Sequence, residues 1–196
     1  MKNVIKNARK GFLMVTMFAT LLSFANESTL ITFTKDAKKT ILNLQSVKEG
    51  NELSIIDANG VVLYKEVISE NGNYKKAFDF STLPDGEYTF ELEKDLEIDV
   101  IPFTVTNKEV VFNNNDKSVT YKPYARLENG IVYVSKLSLT EAPLEVKIYD
   151  SNSDLVYTDN IDHKKNIQKA YKLEGLGSQH YKLVFKSEGK IFTQNI

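Results

Sequence analysis

One pattern constrains this chain more than any other: the outline of residues 53–92 returns, without a gap, 93 positions later, over residues 146–185. Asp57, Asn59, Tyr64, Ile68, Leu83 and Tyr88 meet the identical residue at Asp150, Asn152, Tyr157, Ile161, Leu176 and Tyr181. Self-similarity at a fixed spacing means one structural unit used twice. A chain of 196 residues, 42% of them hydrophobic, has the apolar content for two modest cores. Between the copies, Val110-Val111-Phe112 gives way to Asn113-Asn114-Asn115-Asp116, a polar cluster that marks the junction. The division is then 26–113 and 114–196.

Within each copy the apolar residues recur with period two, and no long stretch repeats every 3.6 residues, so the fold class is all-β. The first copy reads as strands at 29–34, 40–46, 53–56, 61–67, 74–80, 87–93 and 96–106. In 87–93, Tyr88, Phe90 and Leu92 alternate with Glu87, Thr89, Glu91 and Glu93, the pattern of a sheet buried on one face and wet on the other. Asn59-Gly60 between apolar runs predicts a hairpin with a type I′ turn. Pro102 cannot donate to a ladder and predicts a sheet edge or a bulge. The second copy reads as strands at 118–126, 131–139, 144–149, 155–158, 167–173, 179–186 and 190–196. Its Tyr181, Leu183 and Phe185 repeat the inward row, while Lys182 and Lys186 stand where the first copy has acids.

The N-terminus has a different composition. Lys2, Lys6, Arg9 and Lys10 precede an apolar run from Gly11 to Leu22, and Ser23-Phe24-Ala25 offers small residues where a signal peptidase reads, so residues 1–25 are a secretory signal peptide. The run is shorter than the roughly 20 apolar residues of a membrane span. Removing it leaves 21 basic against 26 acidic residues. The acids concentrate in the first copy, and no Lys/Arg stripe of a nucleic-acid binder exists. Cysteine is absent, which excludes disulfides and thiolate chemistry.

Seven strands in roughly 80 residues is the count of an immunoglobulin-like sandwich. Leu83-Pro84-Asp85-Gly86-Glu87-Tyr88 resembles the turn before the sixth strand of immunoglobulin-like and fibronectin-type sandwiches, where a tyrosine hydroxyl ties back to a nearby backbone group. Together with the string from Ile55 to Tyr64, it is similar to sandwich modules of secreted Bacteroidota proteins, among them the C-terminal sorting domain of the type IX secretion system. The resemblance implies two tandem immunoglobulin-like β-sandwiches in an exported bacterial protein.

Chemistry is hard to place on this pattern. His163 and His180 are the only histidines, and His180, beside inward Tyr181, is expected to face solvent. Asp150-Ser151-Asn152-Ser153-Asp154 imitates the opening of a calcium loop, but Leu155 and Ile161 stand where the turn glycine and the closing Glu are needed, so a plain turn is expected. Gly175-Leu176-Gly177-Ser178 lacks the spacing of a nucleophile elbow. Glu87, Glu91 and Glu93 are expected to be solvated, with no desolvated pocket to separate their acidities. Tyr121 and Tyr124, flanking Lys122-Pro123, are the aromatics least tied to a core.

The sequence therefore supports a secreted, periplasmic or cell-surface protein that is not an enzyme, with no catalytic, cofactor-binding or metal residues assigned and no membrane span once the signal is cleaved. The reading placed first is a structural or interaction protein that binds a protein or cell-surface partner, with the strand at 190–196 as a candidate edge for pairing. The alternatives are a type IX sorting or surface-attachment protein and a carbohydrate-binding accessory module.

Overall fold

The computed structural model describes residues 31–36, 39–173 and 180–196. The signal peptide over 1–25 lies outside the described residues, as do Gly175-Leu176-Gly177-Ser178 and with them Leu176. The described chain consists of antiparallel strands and two short 3₁₀ turns.

The first module sets β1 (Ile31–Asp36), β2 (Lys39–Val47) and β5 (Gly72–Phe78) in one sheet, ordered β1-β2-β5. Facing it are β4 (Val62–Val67), β3 (Glu52–Asp57), β6 (Gly86–Glu93) and β7 (Glu97–Thr106), in the order β4-β3-β6-β7. The second module repeats both orders. Strands β10 (Tyr124–Glu128), β11 (Ile131–Leu137) and β14 (Asn166–Lys172) form one sheet. Strands β13 (Leu155–Ile161), β12 (Leu144–Tyr149), β15 (Lys182–Ser187) and β16 (Lys190–Asn195) form the other. Three strands against four, connected in this order, is the immunoglobulin-like sandwich of the fibronectin type.

Each module buries its own core. Leu42, Leu44, Leu53, Ile55, Phe90, Leu92, Ile101 and Phe103 gather in the first, and Val132, Val134, Leu144, Val146, Ile148, Leu183 and Phe185 in the second. These are the inward residues of the period-two rows, and each fully buried Phe or Leu stabilises by about 2 kcal/mol. Tyr88 is buried and its hydroxyl donates to the Pro84 carbonyl at 2.7 Å, which closes the corner before β6. Tyr181 is buried at the same place in the second module.

The structure corrects three local expectations. The Asp57–Val61 connection is not a type I′ turn, because within it only Gly60 has a positive φ, of 82°. Instead Gly60 N–H donates to Asp57 O, the Asp57 carboxylate accepts from the N–H groups of Asn59 and Val61, and the register slips between Ile55 and Ile56. That is a type I turn closed by a bulge, and the aspartate selects it by holding two amides at once. Asp150 accepts from Asn152 and Asp154 in the same way, but Ser153, at φ 68°, occupies the position of Gly60. Type I′ pairs occur at Asn107-Lys108, Asn129-Gly130 and Glu188-Gly189, where both residues have positive φ.

Pro102 lies neither at an edge nor at a bulge. Beyond β7 the sheet continues with β8 (Glu109–Phe112) against Phe103–Thr106 and with β9 (Ser118–Tyr121) against Glu97–Val100. Pro102 falls between them. Its carbonyl accepts from Asn113 N–H, so its missing donor faces the end of β8, where the ladder stops in any case. The single strand expected over 118–126 is thereby two: β9 pairs with the first module and β10 with the second, and the chain changes sheets at Lys122-Pro123.

Because β9 belongs to the first sheet, the second module begins against it. The Lys136 side chain is 0% exposed, and its ammonium donates to the carbonyl of Tyr121 at 2.9 Å and approaches Glu188 at 3.5 Å. Ser138 and Thr140 donate to the same carboxylate. Burial pulls the Lys136 ammonium below the ordinary lysine range, against the opposing charge of Glu188. Burial alone would raise the Glu188 carboxyl, but Lys136 and the hydroxyls of Thr120 and Thr140 outweigh it and hold it below the ordinary carboxylate value. Lys190 adds a two-oxygen contact with Glu91 of β6, at 2.7 Å to each.

Two outcomes follow for stability. Gly60→Ser is expected to lower stability by about 1 kcal/mol and Ser153→Gly to raise it by a smaller amount, since the left-handed conformation costs a side-chain-bearing residue about 1–2 kcal/mol and glycine's extra chain entropy returns part of the gain; urea titration of both variants reads the opposite signs. The depressed Glu188 carboxyl contributes stability that is full above its ordinary value of 4.5 and lost as pH falls through its lowered value. Acid unfolding of Glu188→Gln, compared with the parent, is therefore expected to show a shallower loss below pH 4.5.

Candidate interaction surfaces

The residues singled out for chemistry are not brought together. His163 lies in the turn between β13 and β14 and His180 just before β15, and both are exposed. Among the described residues no group of three His, Asp or Glu side chains is placed to hold a metal ion. Asp150–Asp154 is the turn described above, its first carboxylate engaged by backbone amides.

The acids of β6 differ from expectation. Glu87 is exposed, but Glu91 is only 13% exposed beneath Lys190, and Glu93 pairs with Lys122 at 2.7 Å. The outer face of β6 is partly covered by cations from the linker and the second module. Alternation in one strand reports which side chains face outward, not which neighbouring module lies over them.

A cluster that the sequence reading missed occurs once in each module. Tyr64 and Lys76 both bond the Glu66 carboxylate, and the Lys76 ammonium lies 4.9 Å from the centre of the Tyr64 ring. In the second module Tyr171 donates to Asp159 at 3.0 Å, Lys169 approaches the same carboxylate at 3.3 Å, and the Tyr157 and Tyr171 rings are 5.0 Å apart. Each cluster ties the edge strand of the four-stranded order, β4 or β13, to β5 or β14 of the facing sheet. The hydrogen bond from Lys76 holds the Glu66 carboxyl below its usual range, and Lys76 is raised in turn. Burial, with Asp159 beside it, pushes the Tyr171 phenol far up. The repeat spacing carried the signal, since Glu66 and Asp159, and Lys76 and Lys169, stand at the same offset as the tyrosines.

The opposite side of each sandwich is closed differently. In the first module Phe33 of β1 stacks on Phe112 of β8 at 3.6 Å. In the second, the Gln194 amide accepts from Ala125 N–H at 2.9 Å and donates to its carbonyl at 2.6 Å, bonding β16 to β10 with one side chain.

Among the described residues, a groove and two sheet edges are open to a partner. A groove of about 420 Å³ over β10, β11 and β14 is lined by Tyr124, Arg126, Tyr133, Ser135 and Gln168. Tyr124 is exposed, but the Arg126 guanidinium lies over the Tyr133 ring at 4.5 Å, so the two rings form no continuous platform. Edge strand β4 exposes Val62, Leu63 and Val67, with Lys65 between them. Edge strand β16 exposes Ile191, Thr193 and Asn195.

No curated protein matches the chain. Among solved structures it is similar to the BSP domain of a biofilm associated protein, at 14% identity over 80% of this chain and 26% of that one, with a TM-score of 0.30. A second is the Escherichia coli alpha-2-macroglobulin fragment spanning domains MG0-NIE-MG1, at 7% identity over 86% and 64%, with a TM-score of 0.30. A third is a structure of the receptor tyrosine kinase Torso, at 6% identity over 86% and 72%, with a TM-score of 0.27. The chain thus spans about a quarter of the biofilm protein it matches. Residues 35–106, from the end of β1 to the last residue of β7, match the family model of the secretion system C-terminal sorting domain, and a chain carrying such a module is secreted to the cell surface or beyond.

Proposed function

We propose that this protein is a non-catalytic substrate of type IX secretion whose first sandwich is the part read by the export machinery. The observation that carries the reading is that the sorting-domain match over 35–106 coincides with the strands that close the first core, β2 to β7. The match favours the sorting reading over a generic binding module, which the sequence alone placed first. In this reading the chain divides at residues 113 and 114, β9 lies back on the first sheet, and the second sandwich is delivered with the first as a docked pair. Recognition then uses a folded surface: the corner at Tyr88, the paired edge at β7 and the exposed edge at β4 are fixed before the machinery meets them.

The test is to place a reporter behind a secretory signal and ahead of residues 26–196, 26–121 or 122–196, in a host that has the secretion system and in one that lacks it. The two fusions containing the first sandwich are expected outside the cell only where the system is present, with 122–196 retained in the periplasm. Periplasmic retention of the 26–121 fusion, or its export without the system, contradicts the proposal.

A further inference from the structure

The two modules differ in how they treat one and the same sheet edge. In the first, the outer edge of β7 is filled along both halves by β8 and β9, antiparallel strands supplied by the segment between the modules. In the second, the equivalent strand β16 is the last of its sheet among the described residues. Its register to β15 pairs Ser187 with Lys190 across the Glu188-Gly189 turn, and Tyr181 and Ile196 exchange both of their backbone bonds at 2.9 Å. Alternation between those ends turns the backbone N–H and C=O groups of Ile191, Thr193 and Asn195 away from β15, to the open edge.

Edges that must stay single carry charge. Edge strand β4 follows that rule, with Lys65 between Leu63 and Val67, so that a second β4 laid against it would oppose lysine to lysine. Strand β16 does not follow it. Its outward side chains are Ile191, Thr193 and Asn195, all uncharged, and Ile191 is 69% exposed. The charged residue at its start, Lys190, is held by Glu91.

We infer that β16 is a self-association edge whose occupant is a second copy of this chain, paired antiparallel about a two-fold axis at Thr193. In that register Thr193 faces Thr193 of the second copy, and Ile191 and Asn195 face one another across the axis. Three residues from each copy then exchange about six backbone hydrogen bonds. The two four-stranded sheets join into one, and no like charges meet along the seam. The first module shows that an antiparallel strand fits this edge of the sandwich, because β8 and β9 already occupy it there. The inference is independent of the sorting proposal, since β16 lies outside residues 35–106.

Sedimentation equilibrium of residues 26–196 between about 1 and about 200 µM tests it, since an interface of one strand pair is small and is expected to dissociate in the micromolar range. The parent is expected to move from monomer to dimer mass across that range. Thr193→Pro removes one outward donor at a position where an edge strand tolerates proline, and Thr193→Lys places like charges on the axis. Each is expected to weaken the dimer at least about tenfold, and Thr193→Val to retain it. Far-ultraviolet circular dichroism and thermal unfolding of the three variants verify that each keeps the fold. A parent that is monomeric throughout, a dimer unaffected by Thr193→Lys, or a monomer whose β16 edge captures an unrelated strand peptide overturns the inference.

Discussion

The structure depends on two pairs of neighbouring central strands, one in the larger sheet of each module. Leu53 and Ile55 of β3 lie beside Leu92 and Phe90 of β6, and Val146 and Ile148 of β12 beside Phe185 and Leu183 of β15, all of them nearly or fully buried. With no cysteine in the chain, nothing covalent holds the sheets together, so apolar burial on these rows must outweigh the conformational entropy of some 80 residues per module. Small modules of this size leave little surplus. The Tyr88 corner, the Asp57 and Asp150 turns and the two carboxylate clusters each add a contribution of about 1 kcal/mol where the sandwich would otherwise open.

Duplication preserved this inner arrangement and released the rest. The aspartate turns recur in both halves, and so do the carboxylate clusters, although Tyr64 bonds the carboxylate in the first and Tyr171, at the position of Phe78, in the second. The side of the sandwich next to β7 or β16 is closed by an aromatic stack in one half and by a glutamine clasp in the other. Charge diverged as well. The acidic first module meets the basic second one at the junction, where Glu91 and Glu93 receive Lys190 and Lys122. The surface imbalance visible in composition is thus partly an interface.

The inner faces were legible in the sequence and the lateral pairings were not. Period-two alternation located Tyr88, Phe90 and Leu92, and the fixed offset located Tyr181, Leu183 and Phe185, because burial acts on side chains and side chains are what a sequence records. Lateral partnership acts through backbone groups that are alike at every position. That is why residues 118–126 read as one strand when Lys122-Pro123 divides it between two sheets, and why Pro102 read as an edge when it sits at a break between β8 and β9. The turn at Gly60 was misassigned for a related reason: Asn-Gly suits a type I′ turn, but the Asp57 carboxylate, two residues earlier, had already committed the amides of Asn59 and Val61. The carboxylate clusters were within reach, since the repeat offset pairs Lys76 with Lys169, but a charged residue on a strand reads as a wet one until its partner across the sandwich is known.

The central claim is that two equivalent sandwiches are joined as one body by a strand that folds with the first and is gripped by the second. Residue-resolved hydrogen exchange of β9 tests it most directly. The register against β7, together with the bond from Lys122 N–H to Leu96, directs the amides of Ser118, Thr120 and Lys122 into the first sheet. These amides are expected to exchange as slowly as those of Phe90 and Leu92 on β6, whereas exchange at the rate of an unstructured linker would contradict the account.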